Sequence, residues 1–341
     1  MRSPKFIRRS VVAGALALLV AAGAAPSSSA ANGSASTSPV MRVSGAGGGY
    51  LGPEWPGMEG DPVRFEIDGR ATDPLHPSGS FHVVHRKPDG RLLAEFSGRI
   101  TSLTAVDEVA VVTGVIDAAE HPDVPLEFVG KPVAFTVYDG GEQDRIGWMW
   151  GFFGAPVSLL QGTAPVFALT DGGFRVEGGP LPRGAQGNGP TDAMKAAGDA
   201  PTVAVKAAGD GTTVAAVLGG PSPSSRGSMR FELAAHVPAG GDATQVQGSF
   251  HFRDSGASEA DVEGRLTCLV AGGPVAITTG VVTKSSDPAQ IGKPVSFSLK
   301  DGKVDRLGWL FSWSAAQPSI ADCMSTVPFY APQWGGLVVQ P

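Results

Sequence analysis

The chain has 341 residues, and its 26 lysines and arginines against 32 aspartates and glutamates give a net charge of −6, which argues against nucleic acid and anionic membrane surfaces as partners. Its 48 glycines and 28 prolines, with valine and phenylalanine in short clusters, are typical of a β-rich protein with many turns. The length is sufficient for two ordinary domains.

The first 30 residues have the features of an export signal. Four basic residues precede the apolar run 11–22, and a Ser-x-Ala pattern ends at Ala30. An apolar run of about a dozen residues is too short to span a bilayer comfortably. The segment 1–30 is therefore predicted to be a signal peptide, which makes the protein secreted or extracytoplasmic. Its removal leaves 22 basic against 32 acidic residues, a net charge of −10. Residues 31–39 are expected to be disordered.

Internal repetition is the most informative feature of the chain. The strings "GSFH", "GKPVAF", "DRIGW" and "TAPVFA" return as "GSFH", "GKPVSF", "DRLGW" and "TVPFYA", at offsets of 161 to 169 residues. The segment "PVMRVSGAG" from Pro39 is matched to "PTVAVKAAG" from Pro201. These matches predict one duplicated domain, with copy one at 40–178 and copy two at 201–341. A Gly- and Pro-rich linker is predicted at 179–200.

Apolar residues within each copy recur mostly at every second position, which is the period of a β-strand. In "VAFTVYD", for example, Val133, Phe135 and Val137 share one face. The segment "EVAVVTGVID" is apolar on both faces, which predicts a strand covered on both sides. Tight Gly, Pro and Asp turns join the strands. The predicted fold is all-β, with two tandem copies of a small up-and-down antiparallel β-barrel, and a β-sandwich is the alternative.

The two cysteines of the chain both belong to copy two. Cys268 stands where copy one has Ser102, and Cys323 stands where copy one has Leu160. Because both appear in one copy and both are missing from the other, the pair predicts a disulfide bond in an exported protein. Two buried reduced thiols are the alternative.

The stretch "DRIGWMW" at 144–150 returns as "DRLGWLF" at 305–311, and it has two interpretations. In the structural one, each arginine binds a carboxylate with two hydrogen bonds and each tryptophan fills a barrel interior. In the functional one, the tryptophans wall an apolar pocket and the arginines stand at its mouth. The candidate ligand-binding residues are Arg145, Trp148, Trp150, Arg306, Trp309 and Trp313.

The repeated histidines His82 and His251 are candidates for acid–base groups. They alternate with Phe81 and Phe250, so they are expected on the outer face of the sheet if the phenylalanines face inward. The sequence contains no HExxH, paired CxxC or calcium-loop pattern, and no G-x-S-x-G or Walker loop. It therefore predicts no metal site and no cofactor, and it leaves the catalytic residues unassigned.

The combination "GSFH…GR[IL]T[SC]L…TGV…GKPV[AS]F…DR[IL]GW" resembles a group of secreted, duplicated β-repeat proteins of actinobacteria, over nearly all of both copies. The resemblance implies a β-barrel-like domain and little about function. In architecture alone, the predicted fold is also similar to small β-barrel cyclases of polyketide pathways, including spirotetronate Diels–Alder enzymes. No catalytic residue carries over from that analogy.

Three functions from different classes remain open. The first is an exported protein that binds an apolar or amphipathic small molecule. The second is a metal-free cyclase of a polyketide-type precursor, in which an arginine polarises a carbonyl while the walls orient the chain. The third is a structural envelope or matrix protein with filled barrels. A cavity above roughly 300 Å³ near the tryptophans favours the first two. Copy one is expected to be the open barrel, because the predicted disulfide reinforces copy two.

Overall fold

The computed structural model describes residues 40–179, 211–223, 227–256, 260–314 and 319–341. The predicted signal peptide, the segment 31–39 and nearly all of the predicted linker lie outside these residues, so they stay predictions, as do the exact limits of the two copies. Within the described part of the chain, no helix has both the length and the apolar character needed to cross a membrane.

Copy one forms a single curled antiparallel sheet of nine strands. The strands are β1 Met41–Tyr50, β2 Pro62–Ala71, β3 Ser78–Arg86, β4 Leu92–Val106, β5 Val109–Glu120, β6 Pro132–Tyr138, β7 Arg145–Trp150, β8 Phe167–Ala168 and β9 Asp171–Glu177. Their order across the sheet is β8-β7-β6-β5-β4-β3-β2-β1-β9. A short 3₁₀ turn, Gly151–Phe153, follows β7.

Copy two repeats this arrangement with eight strands. They are β10 Gly211–Pro221, β11 Ser228–Pro238, β12 Gln247–Asp254, β13 Ala260–Gly272, β14 Val275–Ser285, β15 Pro294–Lys300, β16 Arg306–Phe311 and β17 Trp334–Gln340. Their order is β16-β15-β14-β13-β12-β11-β10-β17. Two 3₁₀ turns, Ala243–Gln245 and Pro288–Gln290, lie between strands. The all-β, up-and-down prediction is confirmed, because seven consecutive strands of each copy are sheet neighbours.

Strict alternation places the core on the inner face of each sheet. In β2, Phe65 and Ile67 are almost fully buried, while the residues on either side of them face solvent. The strand β5 is buried on both faces, as its sequence predicts. Ala110 and Val112 belong to the interior of copy one, whereas Val109 and Val111 pack against Val275 and Val327 of copy two. The two copies therefore share an apolar contact through β5.

Aspartate side chains close each curled sheet. In copy one, the amide nitrogens of Phe174 and Val176 in β9 donate to the carboxylates of Asp144 (2.6 Å) and Asp139 (3.1 Å), which lie in the β6–β7 turn. In copy two, Leu337 and Val339 of β17 donate in the same way to Asp305 (3.0 Å) and Asp301 (3.1 Å). Charge-assisted hydrogen bonds thus satisfy the free edge of the last strand. They explain why the motif repeats its aspartate.

The first strand of copy two lies nine residues later than the sequence match placed it. Gly47 of β1 pairs with Phe65, and Leu218 of β10 pairs with Phe231, the repeat partner of Phe65. The counterpart of β1 is therefore β10, and the match to "PTVAVKAAG" from Pro201 is wrong. Ala-, Gly- and Val-rich strings resemble each other by composition. The connection to the second strand is also shorter in copy two, 222–227 against 51–61, which shifts the offset.

The two cysteines lie at disulfide distance, with Cα atoms 5.4 Å apart. The equivalent positions of copy one are joined by a hydrogen bond instead, since the amide nitrogen of Leu160 donates to Oγ of Ser102 at 2.9 Å. Leu160 and Cys323 also share a left-handed backbone, with φ of 62° and 58°. Copy two therefore brings two cysteines together at the place where copy one has a hydroxyl-to-amide hydrogen bond.

Candidate functional site

Trp148 and Trp150 of β7 line a cavity of about 360 Å³ in copy one. Because side chains alternate along a strand, both tryptophans share the inner face with Ile146, which is fully buried in the core. The floor consists of core residues from the neighbouring strands, among them Phe65 and Phe96. Phe153 also lines the cavity and is 67% exposed, so the apolar wall reaches the protein surface.

The loop 51–61, which connects β1 to β2, covers one side of this cavity. It contributes Trp55 and Met58 to the lining. The ring of Trp55 stacks on that of Trp148, with centroids 4.9 Å apart and planes inclined by 16°. The corresponding connection in copy two is five residues shorter and contains no tryptophan. The loop 51–61 is therefore a part of the site that is peculiar to copy one.

Six aromatic rings at the cavity form a continuous row of near-parallel planes. Neighbouring centroids along the row are 4.3, 4.0, 5.6, 6.0 and 4.9 Å apart, and no two neighbouring planes differ by more than 28°. In order along it, the rings are those of His121, Phe128, Phe152, Trp150, Trp148 and Trp55. We call this set the aromatic row. Five of its members line the cavity.

One polar pair interrupts the apolar wall. His85, at the end of β3, lines the cavity and is hydrogen-bonded through Nε2 to Oδ2 of Asp61 at 2.8 Å. Asp61 ends the loop 51–61, and its side chain is 7% exposed. His85 is the one ionisable side chain among the described residues that form the lining. Its counterpart in copy two is Asp254, which accepts a hydrogen bond from Ser222 instead.

At the equivalent place in copy two, Trp309 contacts three other aromatic rings. Trp309 lies 5.3, 4.6 and 5.7 Å from the ring centroids of Phe252, Phe329 and Tyr330. Tyr330 is fully buried, its hydroxyl donates to the carbonyl oxygen of Pro221 at 3.2 Å, and burial raises its pKa. Trp313 stacks on the neighbouring Phe311 at 4.8 Å. The two candidate tryptophans of copy two therefore contact other aromatic side chains of the core.

The two candidate arginines lie between the copies and do not belong to the described lining of the cavity. Arg306 binds Asp107 of copy one through Nε (2.8 Å) and Nη2 (3.2 Å), which matches the structural interpretation of the motif. Arg145 binds two backbone carbonyls of its own copy, those of Pro165 (3.0 Å) and Val166 (2.6 Å), and burial lowers its pKa. The contacts of both arginines are therefore made at the junction of the copies, and a role at the mouth of a pocket stays a prediction.

Gly273 explains why Arg145 has no carboxylate partner among the described residues. It occupies the turn of copy two that corresponds to Asp107 in copy one, and both residues have positive φ, 57° and 49°. A Cβ at Gly273 would lie 2.8 Å from Cδ of Arg145. Glycine thus allows Arg145 to approach the turn closely, while the same turn in copy one offers a carboxylate to Arg306.

The repeated histidines face outward, as the alternation predicts, and each binds a carboxylate. His82 pairs with Glu95 at 2.9 Å and His251 with Asp261 at 2.6 Å. Donor atoms of His251, Asp261 and Glu263 lie within 4.8 Å of one another, the spacing of a metal-binding group. However, Arg253 also binds Asp261 (2.8 Å), and Lys284 binds Glu263 (2.6 Å). The hydrogen bond with His251, and after it that with Arg253, holds the pKa of Asp261 below its ordinary value, and the hydrogen bond from Lys284 does the same for Glu263. The cluster is a surface network of ion pairs.

The repeated motif points to the two tryptophans of β7 but not to the rest of the site. The loop 51–61 carries Trp55 and Asp61, and copy two has no connection of the same length. His85 has no histidine at the equivalent position of copy two, so the repeat does not point to it either. The signal that identifies both is the difference between the copies: an insertion with a tryptophan opposite an unmatched histidine.

Comparison with known proteins adds no identity at this point. No protein-family model, curated protein or solved structure matches the chain. The function must therefore be inferred from the chemistry of the copy-one cavity. That chemistry consists of an aromatic wall, a covering loop and a single histidine–aspartate pair.

Proposed function

We propose that this chain is an exported protein that binds an apolar or amphipathic small molecule in the barrel of copy one. The observation that carries the proposal is the cavity of about 360 Å³, whose lining is aromatic and aliphatic apart from His85. Small-molecule sites are typically concave and apolar with a few polar groups, and their volumes begin at roughly 300 Å³. The cavity fits that description at its small end.

The contrast between the copies supports binding over a purely structural role. An unfilled apolar cavity destabilises a protein, because the side chains around it lose contacts. In copy two the corresponding connection is five residues shorter, and Trp309 packs against three other rings. Copy one instead keeps the volume open and adds the loop 51–61 over it. A protein whose barrels served only as scaffolds would gain stability by filling both.

The cavity supports binding better than ring-forming catalysis. The cyclase hypothesis assigned Arg145 or Arg306 to polarise a carbonyl group, and both arginines lie at the contact between the copies. His85 is the one ionisable side chain that the described lining offers, and its Nε2 is already engaged by Asp61. Ring formation would need a further polarising group that the described lining does not offer, whereas binding needs none.

The proposed location outside the cytoplasm has two supports. Cys268 and Cys323 lie at disulfide distance, and disulfide bonds persist mainly in oxidising compartments. The segment 1–30 has the basic, apolar and small-residue regions of an export signal. A ligand of this protein would then be one that is met outside the cell or during export.

Calorimetric titration with methoxynaphthalene, a flat apolar probe, tests the proposal. The wild-type protein is expected to bind one equivalent. Ala94 lines the cavity, so the variant Ala94→Phe fills it and should abolish binding. The matched control is Ala260→Phe, because Ala260 holds the equivalent register position in copy two. Absence of binding to the wild type, or equal loss in both variants, would contradict a site in copy one.

A further inference from the structure

The carboxylate of Asp61 determines which nitrogen of His85 is left for a ligand. A carboxylate oxygen accepts hydrogen bonds, so Nε2 of His85 carries the hydrogen and donates it to Asp61. In the neutral form of the ring, Nδ1 is then the acceptor nitrogen, and it has no hydrogen-bond partner within the described residues. An acceptor in an apolar wall is therefore suited to an O–H or N–H group of a ligand.

Asp61 is buried behind the wall, and it holds the partly buried His85 that lines the cavity. The side chains are 7% and 16% exposed, respectively. The backbone of Asp61 is also held, since its carbonyl oxygen accepts from the amide of Leu51 and its own amide donates to Met58. Both Leu51 and Met58 line the same cavity. The loop that covers the cavity therefore also orients the imidazole.

We propose that the copy-one cavity selects flat aromatic compounds that carry a hydroxyl group, with Nδ1 of His85 accepting the hydroxyl hydrogen. This inference rests on the proposed function, because it assigns a ligand class to the same cavity. Asp61 acts as a positioning residue: it holds the imidazole and leaves Nδ1 as the acceptor. The pair supplies selectivity, while the aromatic row supplies the contact area.

The aromatic row favours a flat ligand. Aromatic rings pack against one another in offset-stacked or edge-to-face arrangements with centroids about 4.5–7 Å apart. Trp148 and Trp150 already present near-parallel planes to the cavity, inclined by 28° to each other. A flat ligand can pack against these rings in an offset or edge-to-face arrangement and bury its surface against carbon. A volume of about 360 Å³ suits a compound of about two or three fused rings.

Two other ligand classes fit this wall less well. A carboxylate next to His85 would lie close to the buried charge of Asp61, and like charges repel strongly in a dry environment. A sugar can stack on tryptophan, but each of its hydroxyl groups needs a hydrogen-bond partner. His85 is the single ionisable group in the described lining, and most of the remaining lining is carbon. One hydroxyl on an aromatic frame matches one acceptor in an aromatic wall.

Paired calorimetric titrations with naphthol and methoxynaphthalene test this inference, because the two probes share a ring system and differ in the hydroxyl hydrogen. The wild-type protein is expected to bind naphthol about tenfold more tightly, which is the effect of one net hydrogen bond. The variant His85→Leu should bind naphthol and methoxynaphthalene with affinities that agree within about twofold. Its affinity for methoxynaphthalene should equal that of the wild type. The control His82→Leu changes a histidine on the outer face and should keep the tenfold preference.

The outcomes separate this inference from the proposed function. If the wild type binds both probes equally, or if His85→Leu keeps the preference for naphthol, the role of His85 is overturned while the cavity remains a binding site. If the wild type binds neither probe, both proposals fail. The comparison of two probes on the wild type needs no variant, so a His85→Leu protein that does not fold would still leave the inference testable.

Discussion

Gly162 and Ser325 hold equivalent positions in the two copies, and each donates its amide hydrogen to the carbonyl oxygen of the other, at 2.8 and 2.9 Å. Contact between equivalent residues is characteristic of an isologous, two-fold interface. The two copies are therefore related by an approximate two-fold axis that passes through this bridge. The repeated arginines lie on opposite sides of it, Arg306 against Asp107 and Arg145 against Gly273.

The ion pair between Arg306 and Asp107 should stabilise the contact between the copies. Asp107→Asn removes the charge but keeps a residue that tolerates the positive φ of this turn. Because Arg306 is 8% exposed and would lose a charged partner, the free energy of unfolding should fall by about 1–3 kcal/mol. Denaturant unfolding measures the change. Asp117→Asn, which breaks the exposed pair with Arg99, should cost less than about 1 kcal/mol. Equal effects would refute a special role for the interface pair.

The aspartate that closes copy one should protect the last strand from exchange. Asp144→Ala leaves the amides of Gly140 and Phe174 without their acceptor, and it should lower the free energy of unfolding by about 1–3 kcal/mol. Hydrogen exchange at the Phe174 amide should become faster as well. The control is Asp171→Ala, because Asp171 lies on the same strand as Phe174 and forms an exposed ion pair with Arg64 of β2. This variant should change neither the free energy of unfolding nor the exchange rate appreciably. Unchanged exchange in Asp144→Ala would show that the strand is held by other contacts.

Two of the three tyrosines should resist ionisation while the protein is folded. Burial raises the pKa of Tyr138 and of Tyr330 above the ordinary value of 10.0. Because the folded values are raised, the stability from these groups is complete below about pH 10 and is lost as the pH rises through the folded values. Tyrosinate absorbance should therefore rise late in the folded protein and near pH 10 after unfolding. Tyr330→Phe should remove the late step of that residue, and an unchanged titration in this variant would argue against a packed interior in copy two.

The cysteine pair should be oxidised in the protein as isolated. Intact mass under denaturing conditions should increase by two hydrogens on reduction, because the chain contains no other cysteine. Cys268→Ser with Cys323→Leu restores the residues of copy one and should lower the free energy of unfolding by at most about 4 kcal/mol, the loop-closure value for 55 residues. A mass that does not change on reduction would indicate two free thiols.

The fold was accessible from the sequence because its signals are local. Alternation in β2 and β6 places the side chains correctly, and tight turns predict the up-and-down order. The first strand of copy two was misplaced because Ala- and Gly-rich strings carry little information about register. The pairing of Leu218 with Phe231 defines that register, and it is a tertiary observation.

The site can be predicted from the sequence only in part, because the repeat marks residues that the two copies share. It marks Trp148, but it does not mark His85 and Asp61, which have no equivalent in copy two. It also could not identify the partner of Arg306, since Asp107 is 199 residues away and belongs to the other copy. A repeated sequence predicts neither the contacts between the two copies nor the functional residues that only one copy has.

Native mass spectrometry of the protein purified from its own host tests the central claim most directly. The account predicts a bound mass of a small aromatic compound on the wild type and on Ala260→Phe, released on denaturation, and its absence from Ala94→Phe, whose cavity is filled. A wild-type protein that carries no bound compound and acquires none from an extract of that host would contradict the claim that copy one is a binding site.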